Sequence, residues 1–152
     1  MAIRGISFKI PQEKINIIEE LLEGINVRAM FWYNVESQNE VWSVPQYTDF
    51  FKKEYYDGAD FYQQIKEPHK VIFLKLQAYL REEKFDEIHK YEEFLTSHCV
   101  LLLLIYDCEN VEIYSKDEAL TRAICNTARR NGYSEITPIT DDNDGRRKMD
   151  IL

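Results

Sequence analysis

VIFLKL (Val71–Leu76) and VLLLLI (Val100–Ile105) decide how this chain folds, because apolar side chains stand at nearly every position of both runs. A strand with one wet face alternates apolar and polar residues, so a run without alternation is buried on both faces, and six residues is strand length. Both runs are read as central strands of a sheet covered on both sides. Beyond the second, Asp107–Asn110 is a tight turn that returns the chain through Val111, Ile113 and Tyr114, forming a hairpin.

Working outward, Ile6, Phe8 and Ile10 alternate with Ser7 and Lys9, a strand that Pro11 ends. From Gln12 the spacing changes to three and four residues at Ile15, Ile18 and Leu22, with Gly24 as a stop, which predicts an amphipathic helix. VRAMFWYNV (Val27–Val35) and VWSV (Val41–Val44), separated by polar Glu36–Glu40, predict a second hairpin. The aromatics of Pro45–Tyr56 fit neither period and are read as a loop with one helical turn. Asp57 caps a short helix over Gly58–Lys66 that Pro68 ends. Arg81–His89 is charged and expected to be exposed, and Tyr91–Leu95 forms a short helix anchored by Phe94 and Leu95. Asp117–Asn131 is the clearest helix, with Leu120, Ala123, Ile124, Thr127 and Ala128 facing inward, Arg129 and Arg130 at its negative end and Gly132 as cap. Ile136–Thr140 is a final strand, Asp141–Gly145 a turn and Arg146–Leu152 a tail. The expected architecture is one α+β domain over residues 1–152: a mixed or mainly antiparallel sheet of about six to seven strands, with two main helices and one or two short ones.

Charge narrows the function. Asp and Glu number 27 against 19 Lys and Arg, a net charge of −8 that repels polyanions, so nucleic acid is not an expected partner. The longest apolar run, Val100–Tyr106, is far below the about 20 residues of a membrane span. The opening residues lack the apolar stretch of a secretory leader, which gives a cytoplasmic expectation.

Catalytic and metal motifs find little support. Cys99, Cys108 and Cys125 form no C-x-x-C pair and are read as reduced, largely buried thiols. A zinc site from His98, Cys99 and Cys108 meets a geometric objection, since neighbours on a strand point to opposite faces. His69 and His89 stand beside no recognisable nucleophile motif. DDNDG (Asp141–Gly145) fails the calcium-loop register, with Gly145 at position 5 and Leu152 at position 12, and is read as a solvated turn whose carboxylates meet Arg146 and Arg147. The five glycines are scattered, so no phosphate-binding loop can be assembled. No cofactor, metal or catalytic residue is expected.

Two surface features remain. In Arg81–Glu93 six acidic residues, among them Glu82, Glu83, Asp86 and Glu87, face three basic ones, which makes a wet face or a docking surface for a basic partner. The first half of the chain is rich in aromatics, including Trp32, Trp42 and Tyr47; most are core, and exposed Tyr and Trp mark binding surfaces. On the VRAMFWYNV strand Phe31 and Tyr33 must point opposite to Trp32.

RGISFKIP (4–11), DGADFYQQI (57–65), YEEFLTSHCVLLLLIYDCENVEIYSKD (91–117) and ITPITDDNDGRR (136–147) resemble a family of small uncharacterised proteins from spore-forming Gram-positive bacteria, known only as a domain of unknown function. The resemblance spans nearly the whole chain and implies a bacterial, cytoplasmic, stand-alone domain without a catalytic motif. The residues therefore point to a non-enzymatic protein-binding module, such as an immunity or inhibitor protein, that engages a basic partner through an acidic and aromatic surface. The alternative is a small enzyme or small-molecule-binding protein with a pocket lined by Trp32, Trp42 and Tyr47. Homodimerisation through a sheet edge or aromatic patch is a third reading.

Overall fold

A computed structural model describes residues 2–146 and 148–151. The runs that decided the sequence reading form β6 (His69–Tyr79) and β7 (Cys99–Tyr106), paired side by side, with β8 (Asn110–Ser115) returning antiparallel to β7. β1 (Ile3–Lys9) pairs with β8, and β9 (Ser134–Thr140) lies beyond it at the edge. On the other side of β6 lie β2 (Phe31–Asn34) and β3 (Glu40–Ser43), flanked by the two-residue strands β5 (Tyr55–Tyr56) and β4 (Thr48–Asp49). All of these pairings are antiparallel.

The expected six to seven strands are thus corrected to nine among the described residues, while the class stays α+β. The additional pair, β4 and β5, falls within Pro45–Tyr56. Two residues complete no period, so their pairing is set by the neighbouring strand and leaves no pattern in the sequence.

The hairpin expected from Val27–Val35 and Val41–Val44 does not form either. β2 pairs with residues 76–79 of β6 and β3 with residues 69–73 of the same edge, so the two are halves of one interrupted strand. At the break Lys75 gives its backbone N–H to Asn39 Oδ1 at 2.7 Å, while Val35 N–H reaches Lys75 O at 3.1 Å. Asn39 also donates to Asn34 Oδ1, so side-chain amides complete the ladder where the backbone leaves it. Val27–Ala29, expected in the strand, is a single 3₁₀ turn.

Of the helix expected from Gln12, only α1 (Ile17–Leu21) forms. Asn16 holds a left-handed conformation (φ 63°), its N–H bound to His69 O and its Oδ1 accepting from His69 N–H, which ties the segment to the start of β6. So short a helix is unstable alone, and it is held by burial of Ile17, Ile18, Leu21 and Leu22, each contributing about 1.5–3 kcal/mol. α2 (Gly58–Ile65), capped by Asp57 Oδ1 on Asp60 N–H at 2.8 Å, and α4 (Glu118–Arg130), capped by Asp117, match expectation. α3 (Tyr91–Thr96) is anchored by Phe94; Leu95 is exposed.

The sheet is covered on both faces, as the doubly apolar runs require. Ile6, Phe8, Leu74, Leu76, Ala78, Leu101, Leu103, Ile105 and Ile113 pack with residues of α1, α2 and α4. Leu102, Leu104, Tyr79, Cys99 and Tyr114 pack beneath Phe85, Ile88, Phe94 and Met149, which come from the 80–98 connection and the C-terminal segment. The exposure expected for Arg81–His89 is therefore corrected at Phe85 and Ile88, which are buried. Asp141 and Asp144 form their ion pairs with Arg4; of the two arginines expected to meet this turn, Arg146 gives Asp144 Oδ1 its backbone N–H at 3.1 Å while its guanidinium goes elsewhere, and Arg147 lies outside the described residues. Pro138, which lacks an N–H, and Asn143, which binds Pro138 O and Thr140 N–H, blunt the β9 edge.

Candidate functional site

A buried amide on β6 is one of the groups that hold the acidic connection in place. Gln77, on the second face of β6, donates to Asp86 O at 3.0 Å and accepts Ile88 N–H at 2.9 Å. Just ahead of these anchors Phe85 turns inward and stacks on Tyr79 at 4.2 Å, with Tyr55 at 5.6 Å and Tyr33 at 6.4 Å. Tyr33 in turn stacks on Tyr55 across the β2–β5 pair at 5.2 Å. The ring ladder holds the 82–85 backbone beside β2 and β5, leaving a cleft of about 450 Å³ walled by Phe31, Tyr55, Tyr56 and Phe85 and rimmed by Asp57, Glu82, Glu83 and Lys84.

The electrostatics follow from this placement. Burial, reinforced by Glu54, Tyr55, Glu87 and Asp86, pushes the Tyr33 hydroxyl up to about 12. Partial burial, then Glu54 and Asp86, raises Tyr55 as well. A negative field therefore lies along a row of aromatic faces, an arrangement suited to a cation through ring quadrupole and carboxylate together.

Of the residues singled out from the sequence, Glu82 and Glu83 line the cleft, Glu83 also binding His98 Nδ1 at 2.9 Å. Asp86 is exposed close to the tyrosine ladder. Glu87 is turned away and pairs with Lys75. Trp32 is fully buried, stacked on Phe61 at 4.5 Å and donating its indole N–H to Val27 O, so it presents no surface. Trp42 is half-buried and Tyr47 is 65% exposed. Trp32 lies opposite Ala78 and Trp42 opposite Lys70, eight positions apart on β6, roughly 26 Å along the strand. A common pocket of Trp32, Trp42 and Tyr47 is corrected accordingly. Phe31, Tyr55 and Phe85 replace them; Phe85 and Ile88, apolar within an acidic run, were the signal for the inward turn.

A second polar cluster sits at the break between β2 and β3. The Lys75 ammonium, with no exposed side chain, meets Glu87 at 3.1 Å, Asp150 at 3.0 Å and Ile88 O at 2.5 Å. His89 Nδ1 lies 3.2 Å from Asp150, so Glu87, His89 and Asp150 could together offer three ligand atoms to a metal ion. The ammonium already neutralises those carboxylates, and a divalent ion would set like charges side by side. His98 and Cys99 point to opposite sides, one exposed and one buried with its thiol pushed up to about 12 by burial. His69 is a structural histidine whose Nε2 accepts Ile18 N–H at 3.1 Å.

A larger concavity, about 740 Å³, opens over β1, β8 and β9. Its floor is a bidentate pair from Arg146 Nε and Nη2 to Glu112, both at 2.9 Å, joined by the Tyr106 hydroxyl at 2.6 Å. Burial works to raise Glu112, but Arg146 and Tyr106 outweigh it and hold the carboxyl below its usual range.

The family described as "Protein of unknown function (DUF2691)" matches residues 3–150, and the chain belongs to that family. It is 31% identical over 153 residues to "Uncharacterized protein YncE" of Bacillus subtilis (strain 168), covering 97% of this chain and 99% of that protein. No solved structure matches. No helix among the described residues is long and apolar enough to cross a membrane.

Proposed function

We propose that this DUF2691 member is a non-enzymatic protein-binding module of the bacterial cytosol that seats a basic segment of a partner protein in the cleft between β2, β5 and residues 82–85. An inhibitor or immunity protein, which neutralises a basic partner by covering it, is one form of this activity. The observation that carries the reading is convergence. Carboxylates from the 81–93 run and aromatics from residues 31–56, far apart in the chain, meet in one cleft of about 450 Å³. Complementary charge at such a rim speeds encounter and rejects acidic surfaces, while the rings provide contact area.

The test is capture by the immobilised full chain, with identification of the retained proteins, using wild type and the Glu82→Lys, Glu83→Lys double variant. The expected result is a basic protein held at low salt, released at about 0.5 M salt, where screening shortens to a few ångströms, and not held by the variant. Equal capture by wild type and variant would sink the reading.

A second reading, a small-molecule-binding protein, is favoured by the half-buried Glu112, Arg146 and Tyr106 converging on the 740 Å³ concavity, within the usual size range of ligand sites. A metabolite that raises the melting temperature of wild type but not of Tyr106→Phe would support it.

A further inference from the structure

We infer that the cleft selects arginine over lysine, an inference that rests on the reading just given and names the side chain the partner must present. A guanidinium is planar, weakly hydrated and always charged, so it can lie flat on a ring while its edge binds a carboxylate; an ammonium must shed a tightly held hydration shell to do the same. The cleft asks for that combination, because Phe31, Tyr55 and Phe85 stand in its walls while Asp57, Glu82 and Glu83 outnumber Lys84 at its rim.

The fold itself shows which cation suits such surroundings. Arg4 lies 4.0 Å over the Tyr91 ring while its Nε and Nη1 reach Asp141 and Asp144 at 2.8 and 3.1 Å. Arg146 lies 5.4 Å over Tyr106 while it grips Glu112. The side chains of these arginines are only 23% and 16% exposed. The other cations that lie over rings, Arg28, Lys53, Lys66 and Lys116, are exposed, and the buried lysine, Lys75, is held by carboxylates and a carbonyl oxygen. Where this protein withdraws a cation from water between a tyrosine face and carboxylates, it uses arginine. The cleft between β2, β5 and residues 82–85 offers the same partners to a chain from outside.

The experiment is titration of the purified full chain with three peptides of equal length, alternating glycine with arginine, lysine or citrulline, the last having the shape of arginine without its charge. The expected order is arginine tighter than lysine by about fivefold or more, with citrulline weakest. Tyr55→Leu, at a half-exposed position, should bring arginine and lysine to within about twofold, and Phe31→Leu repeats the measurement on another wall. Equal binding of arginine and lysine peptides would overturn the selectivity and leave the basic-partner reading standing. Binding of citrulline as tight as arginine, or of none of the three at low salt, would overturn both.

Discussion

Replacing Lys75 with Met tests whether the interrupted edge of the sheet is held by charge. In the native protein the ammonium has no exposed side chain, and Glu87 and Asp150, 19% and 21% exposed, approach it at 3.1 and 3.0 Å. Methionine fits the space of the lysine stem but leaves two carboxylates facing each other without the ammonium between them. Breaking a fully buried pair costs about 3–5 kcal/mol, and since water reaches about a fifth of each carboxylate the cost falls to or just below the bottom of that range, about 2–3 kcal/mol. Asp150 adds a pH signature. Burial alone would raise its pKa, but Lys75 and then His89 hold it below the ordinary value. A depressed carboxylate contributes stability that is present above its unfolded pKa of about 3.9 and is lost as pH falls through the folded value, so Lys75→Met should flatten the acid limb below about pH 4. Urea denaturation read by tyrosine and tryptophan fluorescence supplies the free energy. The triple variant Lys75→Met, Glu87→Gln, Asp150→Asn removes the stranded charges as well and should return to within about 1 kcal/mol of wild type. A triple variant as unstable as the single one would refute the argument and assign the role of Lys75 to packing alone.

Two further outcomes follow from buried groups. Burial pushes His69 down to about 4, so the unfolded chain takes up a proton that the folded one refuses; stability should be complete above about pH 6.5 and fall by about 3 kcal/mol toward pH 4. Thermal or urea midpoints against pH check this, and His69→Gln should remove the slope in that window. Gly58→Ala should destabilise by about 1–3 kcal/mol, because the added methyl would stand 2.1 Å from Arg28 O. Helix propensity alone predicts a gain of up to about 1 kcal/mol at that position, so the sign measured by denaturation decides between local preference and close packing.

Much of the fold was legible in local pattern. The doubly apolar runs of β6 and β7, the alternation of β1 and the capped period of α4 each state their own burial, because a strand or helix repeats its environment every two or three to four residues. That Trp32 and Phe31 take opposite sides of β2 followed from the same rule, but which side is core did not. Reading Trp32 as a surface candidate failed because an aromatic ring looks the same in sequence whether it stacks on Phe61 or faces water. The helix expected from Gln12 failed for a related reason: its spacing was right, but the Asn16 bonds to His69 come from a residue more than fifty positions away.

What the sequence determined by itself is the periodic part: the doubly covered central strands, the capped helices, the α+β class and the surplus of negative charge. What only the tertiary structure decided is the part that depends on contacts between distant residues. The two halves of one edge strand, the two-residue strands beside them, the tie of Asp150 to Lys75 and the meeting of Glu82 and Glu83 with Tyr55 and Phe31 are all of this kind. Periodicity reports whether a side chain is covered; it carries no information about which distant residue covers it, and the cleft is made of such pairings.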